Sequence, residues 1–369
     1  MQGSPYSPLK VIHHRERIDS IRNGEQIVPT QVQLIISDLC NQDCAFCAYR
    51  MSGYSSNQLF VVDSELAKTG TNNPKRMIEF SKVNEILDDC KEMGVGAIQI
   101  TGGGEPTVHP NHVEIFNGVV DRGMDLAVVS NGAVFRPGLI DAYLRAQWVR
   151  FSIDAGNADT YASVRRVGAG AYARTWGNIS DLVQVRKEYK YPSEVIIGIG
   201  FVVTADNWKE ILECTEKAKE TGVDNIRISA VFQNEGSKYF ESFYQEAQQL
   251  IREAAQLSTD TFAVFNNFGD RVGDLDQAHP DYSYCGYQEF NTYIGGDLNV
   301  YRCCVLAYNE RGKIGSLKDI RFKDFWETEQ KKKAFDTFDA TGCPRCMFNN
   351  KNKTILYAIE PKPRHVNFV

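Results

Sequence analysis

The chain has 369 residues, of which 43% are hydrophobic and 24% charged, and its formal net charge is −6. This composition can bury a large core, and the length predicts one large domain with a smaller one, or two domains. The N-terminus has no apolar run of signal-peptide length, and no stretch approaches about 18 consecutive apolar residues. We therefore expect a folded cytoplasmic protein with no membrane span.

Short β-branched runs alternate with amphipathic helical stretches between about residues 30 and 235. The six predicted strands are 31–37, 97–101, 125–130, 148–153, 195–203 and 225–232. This alternation predicts right-handed βαβ units and a parallel sheet. Six units rather than eight predict an incomplete barrel or an open sheet, and in both the active site lies at the carboxyl ends of the strands.

The pattern changes after residue 236. A helical connector leads into a Gly-, Asp- and Asn-rich passage, which is followed by the hairpin-like "NTYIGGDLNVYRCC" and an amphipathic helix around "FKDFWETEQKKKAF". The predicted divisions are an N-terminal extension at 1–29, the barrel at 30–235, the connector at 236–281 and a C-terminal domain at 282–369.

Ten cysteines in a large cytoplasmic chain favour metal binding or catalysis over a disulfide framework. Cys40, Cys44 and Cys47 have the spacing C-x3-C-x2-C and directly follow the first predicted strand. A structural zinc site would need a fourth ligand, and no Cys or His stands nearby. Three cysteines on one loop suit a [4Fe–4S] cluster with one iron left open. Cys90 and Cys214 stand alone in helical patterns, which predicts that both are core residues.

The cysteine loop resembles the signature of the radical S-adenosylmethionine (SAM) superfamily, C-x3-C-x-aromatic-C, with Phe46 in the aromatic place. The stretch "TGGGEPTVHP" (101–110) follows the second strand and resembles the GGEP motif of the family. The resemblance implies a partial (β/α)6 TIM-like barrel that binds SAM, and only glycine lets a backbone approach a ligand so closely. Its implied SAM-binding residues here are Phe46, Gly103, Gly104, Glu105 and Pro106, with the Glu105 carboxylate accepting from the SAM ammonium group.

Further matches to the family lie on the next two strands. "SNG" after the third strand resembles a ribose-contacting turn, which implies roles for Ser130 and Asn131. "FSIDAG" on the fourth strand resembles members in which a Ser and a later Arg meet the SAM carboxylate, here Ser152 and either Arg165 or Arg166. Each of these side chains could equally be a helix cap or a solvated charge.

The remaining cysteines resemble the C-terminal auxiliary-cluster modules called Twitch and SPASM, which are small α+β domains. The implied ligands of one auxiliary [4Fe–4S] cluster are Cys285, Cys303, Cys343 and Cys346. Leu298 stands where SPASM-type hairpins usually have Gly. Cys304 competes with Cys303, because adjacent strand residues point to opposite faces, and Cys303 is preferred. A four-cysteine zinc site is the alternative.

The resemblance implies that SAM chelates the open iron, and that one electron cleaves it to methionine and a 5′-deoxyadenosyl radical, which abstracts a hydrogen atom from the substrate. The implied partners are a flavodoxin- or ferredoxin-type electron donor and a small-molecule or nucleotide-like substrate, with a peptide or a nucleic-acid-borne base as further possibilities. The reaction would be a dehydrogenation, epimerisation or isomerisation, with the auxiliary cluster in electron transfer. The alternatives are a maturase of a ribosomal peptide and a non-catalytic iron–sulfur or zinc protein.

Two clues concern the substrate. Residues 311–369 contain 13 Lys and Arg against 7 Asp and Glu, which favours an anionic substrate unless Lys331 and its neighbours are a solvated helix face. The long polar segment 48–76 predicts a binding loop or lid. It carries the candidate substrate residues Tyr49, Arg50 and Tyr54, and we expect Arg50 to meet an anionic group.

Overall fold

A computed structural model describes residues 5–50, 76–189 and 193–367. Its strands are β1 (Gln31–Leu34), β2 (Ala97–Ile100), β3 (Asp125–Ser130), β4 (Trp148–Ser152), β5 (Ile196–Val203), β6 (Asn225–Ala230), β7 (Ala263–Asn267), β8 (Asn291–Ile294), β9 (Asn299–Tyr301) and β10 (Lys313–Ser316). Its helices are α1 (Arg15–Arg22), α2 (Phe80–Met93), α3 (His112–Asp121), α4 (Leu139–Leu144), α5 (Ala158–Arg165), α6 (Ala171–Glu188), α7 (Ile211–Thr221), α8 (Tyr244–Ala255), α9 (Phe268–Asp276), α10 (Tyr287–Phe290), α11 (Phe322–Trp326), α12 (Glu329–Asp336) and α13 (Asn349–Ile359).

Within the described residues, the strands form one sheet in the order β10-β9-β8-β1-β2-β3-β4-β5-β6-β7. The pairs from β1 to β7 are parallel, and β8 pairs in parallel with β1 on the other side. The α/β fold with a partial TIM-like barrel is therefore confirmed. Because the strands are parallel, their carboxyl ends meet at one rim of the barrel.

Helix α2 illustrates why the barrel helices form. Val83, Ile86, Leu87 and Cys90 are buried and recur at the spacing of one helix face, so they pack that face against the sheet. The helix ends where Gly94 adopts a left-handed φ of 81°, which glycine does without steric cost. Cys90 is fully buried, as is Cys214 on α7, which confirms that both are core residues.

The C-terminal hairpin extends the barrel sheet. β8 and β9 pair antiparallel, with Tyr293 opposite Tyr301, while β8 also runs parallel to β1. Leu298 in the hairpin turn has φ 63°, a left-handed conformation in which a non-glycine residue costs about 1–2 kcal/mol. Leu298 therefore adopts the left-handed conformation that the Gly of SPASM-type hairpins would adopt more easily.

The connector predicted as helical contains more than helices. Residues 263–267 form β7, which pairs in parallel with β6 over Asn225–Ser229 and adds a seventh βα unit to the sheet. The sequence prediction missed this strand because "AVFNN" is short and follows a polar, turn-rich stretch. The division of the chain into four parts stays a prediction.

A buried ion pair ties the hairpin to the loop after β1. Asp38 is fully buried, and its carboxylate lies 2.8 Å from Arg76 Nε. Arg76 also lies 3.3 Å from Asp297 in the hairpin turn and over the Tyr308 ring. The Tyr308 hydroxyl donates to Asp38 and accepts from the Gly296 amide at 3.1 Å.

None of the helices described here has both the length and the apolar character that a bilayer crossing requires. The cytoplasmic location expected from the sequence stays a prediction.

We expect Tyr308→Phe to lower the free energy of unfolding by about 1–3 kcal/mol, because it removes a donor from a buried carboxylate. Urea-induced unfolding of the two proteins measures the difference. Tyr357→Phe is the matched control, since the Tyr357 side chain is 61% exposed and should change stability by less than about 0.5 kcal/mol. Equal stability of the Tyr308→Phe variant and the wild type would contradict the role of this contact.

Candidate functional site

A cavity of about 1280 Å³ occupies the barrel interior and reaches the carboxyl ends of the strands. Side chains at alternate positions of the strands line it, including Gln33, Gln99, Arg150 and Arg227. The three cysteines of the loop after β1 also line this cavity. The cysteine loop predicted to be functional therefore faces a large cavity in the barrel.

The cysteine loop is fixed to the end of α5. The Ala45 amide donates to the Val164 carbonyl at 2.8 Å, and the Asp43 amide donates to the Arg165 carbonyl at 3.3 Å. The Cys47 amide donates to the Cys44 carbonyl at 3.1 Å, which closes a turn inside the loop. The loop is thus positioned by the βα unit of the fourth strand as well as by β1.

The three thiols fit a [4Fe–4S] cluster by their chemistry and placement. Burial is the main cause that raises the pKa of Cys40 to about 12 and of Cys47 to about 11, with neighbouring thiols, including Cys44, adding to the effect. Such thiols need nearby positive charge to become thiolates, which iron supplies. In the described ranges no group of three or more His, Cys, Asp or Glu side chains is arranged to hold a metal ion. A cluster differs from one ion because each thiolate binds a different iron atom.

The glycine-rich loop after β2 packs directly on the backbone that leads to the cysteines. The Gly104 amide donates to the Ser37 carbonyl at 3.1 Å, and the Glu105 amide donates to the Leu39 carbonyl at 2.7 Å. A Cβ at Gly104 would lie 2.1 Å from the Leu39 oxygen, and a Cβ at Gly102 would lie 1.8 Å from the Gly104 oxygen. Both positions therefore require glycine.

The Glu105 side chain is buried and accepts hydrogen bonds from four protein donors. They are the Ser130 hydroxyl at 2.8 Å, the Asn131 amide at 2.7 Å, the Thr107 amide at 3.1 Å and the Thr107 hydroxyl at 2.8 Å. Burial raises the pKa of Glu105 against the lowering effect of these donors. The carboxylate thus joins the loop after β2 to the turn after β3.

The turn after β3 is also joined to the cysteine loop. Asn131 Nδ2 donates to Asn41 Oδ1 at 2.7 Å, and Asn131 Oδ1 accepts from the Ala133 amide at 3.0 Å. Ser130 Oγ accepts from the Gly132 amide at 3.0 Å. Ser130 and Asn131 are both buried, so these contacts leave little freedom to the turn.

The structure separates the two candidate arginines at the end of α5. Arg165 is buried, donates to Cys44 Sγ at 3.2 Å and pairs with Asp154. Although burial lowers it, the pKa of Arg165 is raised overall by Asp154 and Cys44, so the guanidinium stays charged. Arg166 is 58% exposed, caps the helix with φ 52° and pairs with Asp43 at 3.1 Å. Arg165, and not Arg166, lines the cavity.

The other predicted site residues are placed as follows. Phe46, Gly103, Gly104, Glu105, Ser130, Asn131 and Ser152 line the cavity. Pro106 is buried and begins a short 3-10 helix behind the loop. The Arg165 guanidinium lies 5.8 Å from the Phe46 ring centre.

Tyr49 and Arg50 line the cavity as well, while Tyr54 lies outside the described residues. The Tyr49 hydroxyl lies 3.2 Å from the Tyr293 hydroxyl. The Arg50 guanidinium pairs with Asp43, so part of its charge is already offset.

A second, smaller cavity collects four of the remaining cysteines. Cys285, Cys303, Cys343 and Cys346 line it together, and burial is the main cause that raises the pKa of each thiol. Neighbouring thiols add to the raised pKa of Cys285, Cys303 and Cys343. Cys304 lines the large cavity instead. The neighbours at 303 and 304, which follow β9 in a bent segment, therefore line different cavities.

Polar groups surround the second cysteine group. The Tyr282 hydroxyl lies 3.6 Å from Cys346 Sγ, and the Phe348 amide donates to Cys346 Sγ at 3.3 Å. Cys285 Sγ lies 3.7 Å from Asn352 Oδ1. Four thiols that line one cavity, one of them with two hydrogen-bond donors, fit a cluster held entirely by protein.

Sequence reasoning did not single out the basic side chains inside the barrel. Arg150 and Arg227 lie on β4 and β6, and Arg271 and Lys351 come from α9 and α13. A signal was present for the strand residues, since "WVRFS" and "NIRIS" place a cation between buried apolar neighbours at the inward-facing position. The helical residues gave no comparable signal, because a charged residue on a helix is usually solvated.

Several known proteins are similar to this chain. The chain matches the Radical SAM superfamily over residues 34–247. It is 32% identical over 151 residues to the tungsten-containing aldehyde ferredoxin oxidoreductase cofactor-modifying protein of Pyrococcus furiosus. The aligned region covers 39% of this chain and 41% of that protein. It is 27% identical over 197 residues to the S-adenosylmethionine-dependent nucleotide dehydratase of Flammeovirga pacifica, which covers 53% and 60%. The chain thus spans about half the length of the curated relatives it matches.

Among solved structures, Streptococcus suis SuiB bound to precursor peptide SuiA superposes with a TM-score of 0.61 and 13% identity. The match covers 92% of this chain and 74% of that one, and it shows likeness of fold alone. The superfamily match extends over more than half of the sequence and contains both the cysteine loop and the glycine-rich loop. The chain therefore belongs to the radical SAM superfamily.

Proposed function

We propose that the protein reductively cleaves SAM to a 5′-deoxyadenosyl radical and abstracts a hydrogen atom from a small, anionic or nucleotide-like substrate. The observation that carries this proposal is that the cysteine loop and the glycine-rich loop face one cavity and are bonded to each other through backbone groups. The cavity is large enough for SAM together with a second small molecule. The net reaction would be a dehydrogenation, epimerisation or isomerisation.

The geometry supports the cofactor-binding residues that the family resemblance implied. Cys40, Cys44 and Cys47 would bind three irons of a [4Fe–4S] cluster, and SAM bound to the open iron supplies the radical when one electron arrives. The Arg165 guanidinium, beside Cys44 Sγ, offers positive charge to the thiolate and to the SAM carboxylate. Ser152 lies on the same cavity wall.

The contacts of Glu105 favour a different role from the direct contact with the SAM ammonium group that the resemblance implied. Four protein donors already bind its carboxylate, so we assign it to positioning the Ser130–Asn131 turn beside SAM. Loss of the carboxylate would leave several buried donors without an acceptor. Glu105 is thus proposed to act on SAM binding through the turn.

Cys285, Cys303, Cys343 and Cys346 are proposed to hold an auxiliary [4Fe–4S] cluster with no open iron, which suits electron transfer. The electron for SAM cleavage would come from a flavodoxin- or ferredoxin-type donor. A ribosomal peptide is the alternative substrate. The likeness to SuiB does not decide between the two, because it concerns the fold.

Metal content tests the proposal first. Anaerobically reconstituted protein should contain about eight irons and eight sulfides per chain. Replacing Cys40, Cys44 and Cys47 together by Ala should halve the iron and abolish SAM cleavage. Cys303→Ala should lower the iron by up to half, whereas the matched control Cys304→Ala should keep all of it. Stoichiometric zinc with little iron, measured by plasma mass spectrometry, would overturn the proposal.

Glu105→Gln tests the turn. The glutamine side chain would place its NH2 group against hydrogen-bond donors that now bind the Glu105 carboxylate. We therefore expect the Kd for SAM to rise at least fivefold, about 1 kcal/mol. Isothermal titration calorimetry of the reconstituted protein measures this change. Glu92→Gln on the exposed end of α2 is the control and should stay within twofold. An unchanged affinity in Glu105→Gln would show that the turn does not position SAM.

Arg165→Lys and Arg166→Lys form a matched pair. Lysine keeps the charge but cannot reach Cys44 and Asp154 at once as the guanidinium does, so we expect Arg165→Lys to weaken SAM binding at least fivefold. Arg166→Lys should stay within twofold, because its side chain is exposed and outside the cavity. The same titration measures both variants, and the reverse order of effects would contradict the assignment.

A further inference from the structure

Five basic side chains line the large cavity and act on one another electrostatically. These residues, here called the basic chamber, are Lys10, Arg150, Arg227, Arg271 and Lys351. They come from the N-terminal segment, two barrel strands and two helices that are distant in sequence. A basic cluster assembled from so many elements is a property of the tertiary fold.

The strand register brings two of these cations toward each other. Arg150 on β4 pairs with Gly198 of β5, and Arg227 on β6 pairs with Gly200 of β5. A Cβ at Gly200 would lie 3.5 Å from Arg150 Cδ. The Arg150 side chain therefore crosses over Gly200 toward Arg227, and glycine inside a strand marks such a close approach.

Lys10 is exposed, and the other four chamber residues are partly buried but lack the ion-pair partners that such cations usually have. Arg227 Nε and Arg271 Nη1 are buried atoms without a hydrogen-bond partner. Within the described residues, the ion pairs include none of the five. Arg150 lies 5.0 Å from the Trp148 ring centre and Arg227 lies 5.6 Å from the Tyr6 ring centre. Ring faces offset positive charge only in part.

The cations also disfavour one another. Burial first, and then Arg150 and Arg271, lower the pKa of Arg227 to about 9. Burial first, and then Lys10 and Arg271, lower the pKa of Lys351. Grouping like charges away from water is unfavourable, and an anion placed between them would relieve both the repulsion and the desolvation.

The carboxylates of the cavity do not neutralise the chamber. They are Glu105, Asp224, Asp260, Asp270 and Asp274. The first accepts four protein donors, the second pairs with Arg186, and the next two are exposed. Asp274 acts electrostatically on Arg271 and Lys351 and offsets part of their charge, but one carboxylate cannot neutralise five cations.

We infer that the basic chamber binds a phosphoryl group of the substrate, so that the substrate is a phosphate ester or a diphosphate. This inference rests on the proposed function, because it places the substrate in the same cavity as SAM. A phosphate carries close to two negative charges and three acceptor oxygens, which suits several converging Arg and Lys donors better than a single carboxylate does. The two arginines on the barrel strands and the two helical cations would contact it from different sides.

Calorimetric titration of the reconstituted protein with inorganic phosphate, in the presence of saturating SAM, tests the inference. In the proposed function SAM binds beside Arg165, so phosphate that binds in the presence of SAM reports on the chamber. We expect the double variant Arg227→Met/Arg271→Met to bind phosphate at least tenfold more weakly, and Arg227→Lys/Arg271→Lys to stay within threefold of wild type. Arg145→Met, on an exposed arginine outside the cavity, is the control and should equal wild type.

Affinity for phosphate should fall as sodium chloride is raised, and phosphate should bind more tightly than succinate, a dicarboxylate probe. Absence of phosphate binding to wild type, or equal binding by the Met double variant, would overturn the inference. Tighter binding of succinate would overturn the assignment to phosphate. If the Met double variant does not fold, Lys351→Met on α13 replaces it, with an expected loss of at least threefold.

The outcome is separable from that of the proposed function. Iron content and SAM cleavage without substrate test the radical chemistry, and neither depends on the chamber. Protein that cleaves SAM but fails to bind phosphate would overturn the chamber alone. Protein that binds phosphate through the chamber but holds no iron would overturn the proposed function alone.

Discussion

The buried Glu105 carboxylate is the contact on which the geometry of the site depends. Its side chain holds the turn after β3, while its own amide is bonded to the Leu39 carbonyl beside the cysteines. Three neighbouring strand ends are thereby held in one arrangement by a single residue. A buried carboxylate is unfavourable unless its oxygens are bonded, and here the donors come from the loops that must be positioned.

The two cavities that hold the cysteine groups are divided at one point of the chain, where neighbouring cysteines line different cavities. Cys303 faces the small cavity with Cys285, Cys343 and Cys346, and Cys304 faces the large one. The hairpin that carries them is joined to β1 through β8. The same sheet therefore carries both the first cysteine loop and the hairpin that leads to Cys303.

The sequence allowed the strands, the cysteine groups and the glycine-rich loop to be predicted, because periodicity and motif spacing are local properties. Local patterns could not distinguish Arg165 from Arg166. That choice depends on the left-handed φ of Arg166, which turns its side chain to solvent. Nor could they predict the strand β7 or the convergence of Arg271 and Lys351 on the barrel, since both depend on packing between distant segments.

The glycines of β5 have a consequence for how the substrate range could evolve. A Cβ at Gly198 would lie 2.5 Å from Asn225 Oδ1, whereas one at Gly200 would make ordinary contact with Arg150. The width of the barrel at this level is thus set by two residues without side chains. Alanine would fit at position 200, whereas alanine at position 198 would fit only if the Asn225 side chain moved. A residue larger than alanine at position 200 would reduce the space available to a bulky substrate. A substitution at either glycine would therefore change the space inside the barrel without replacing a side chain that now lines the cavity.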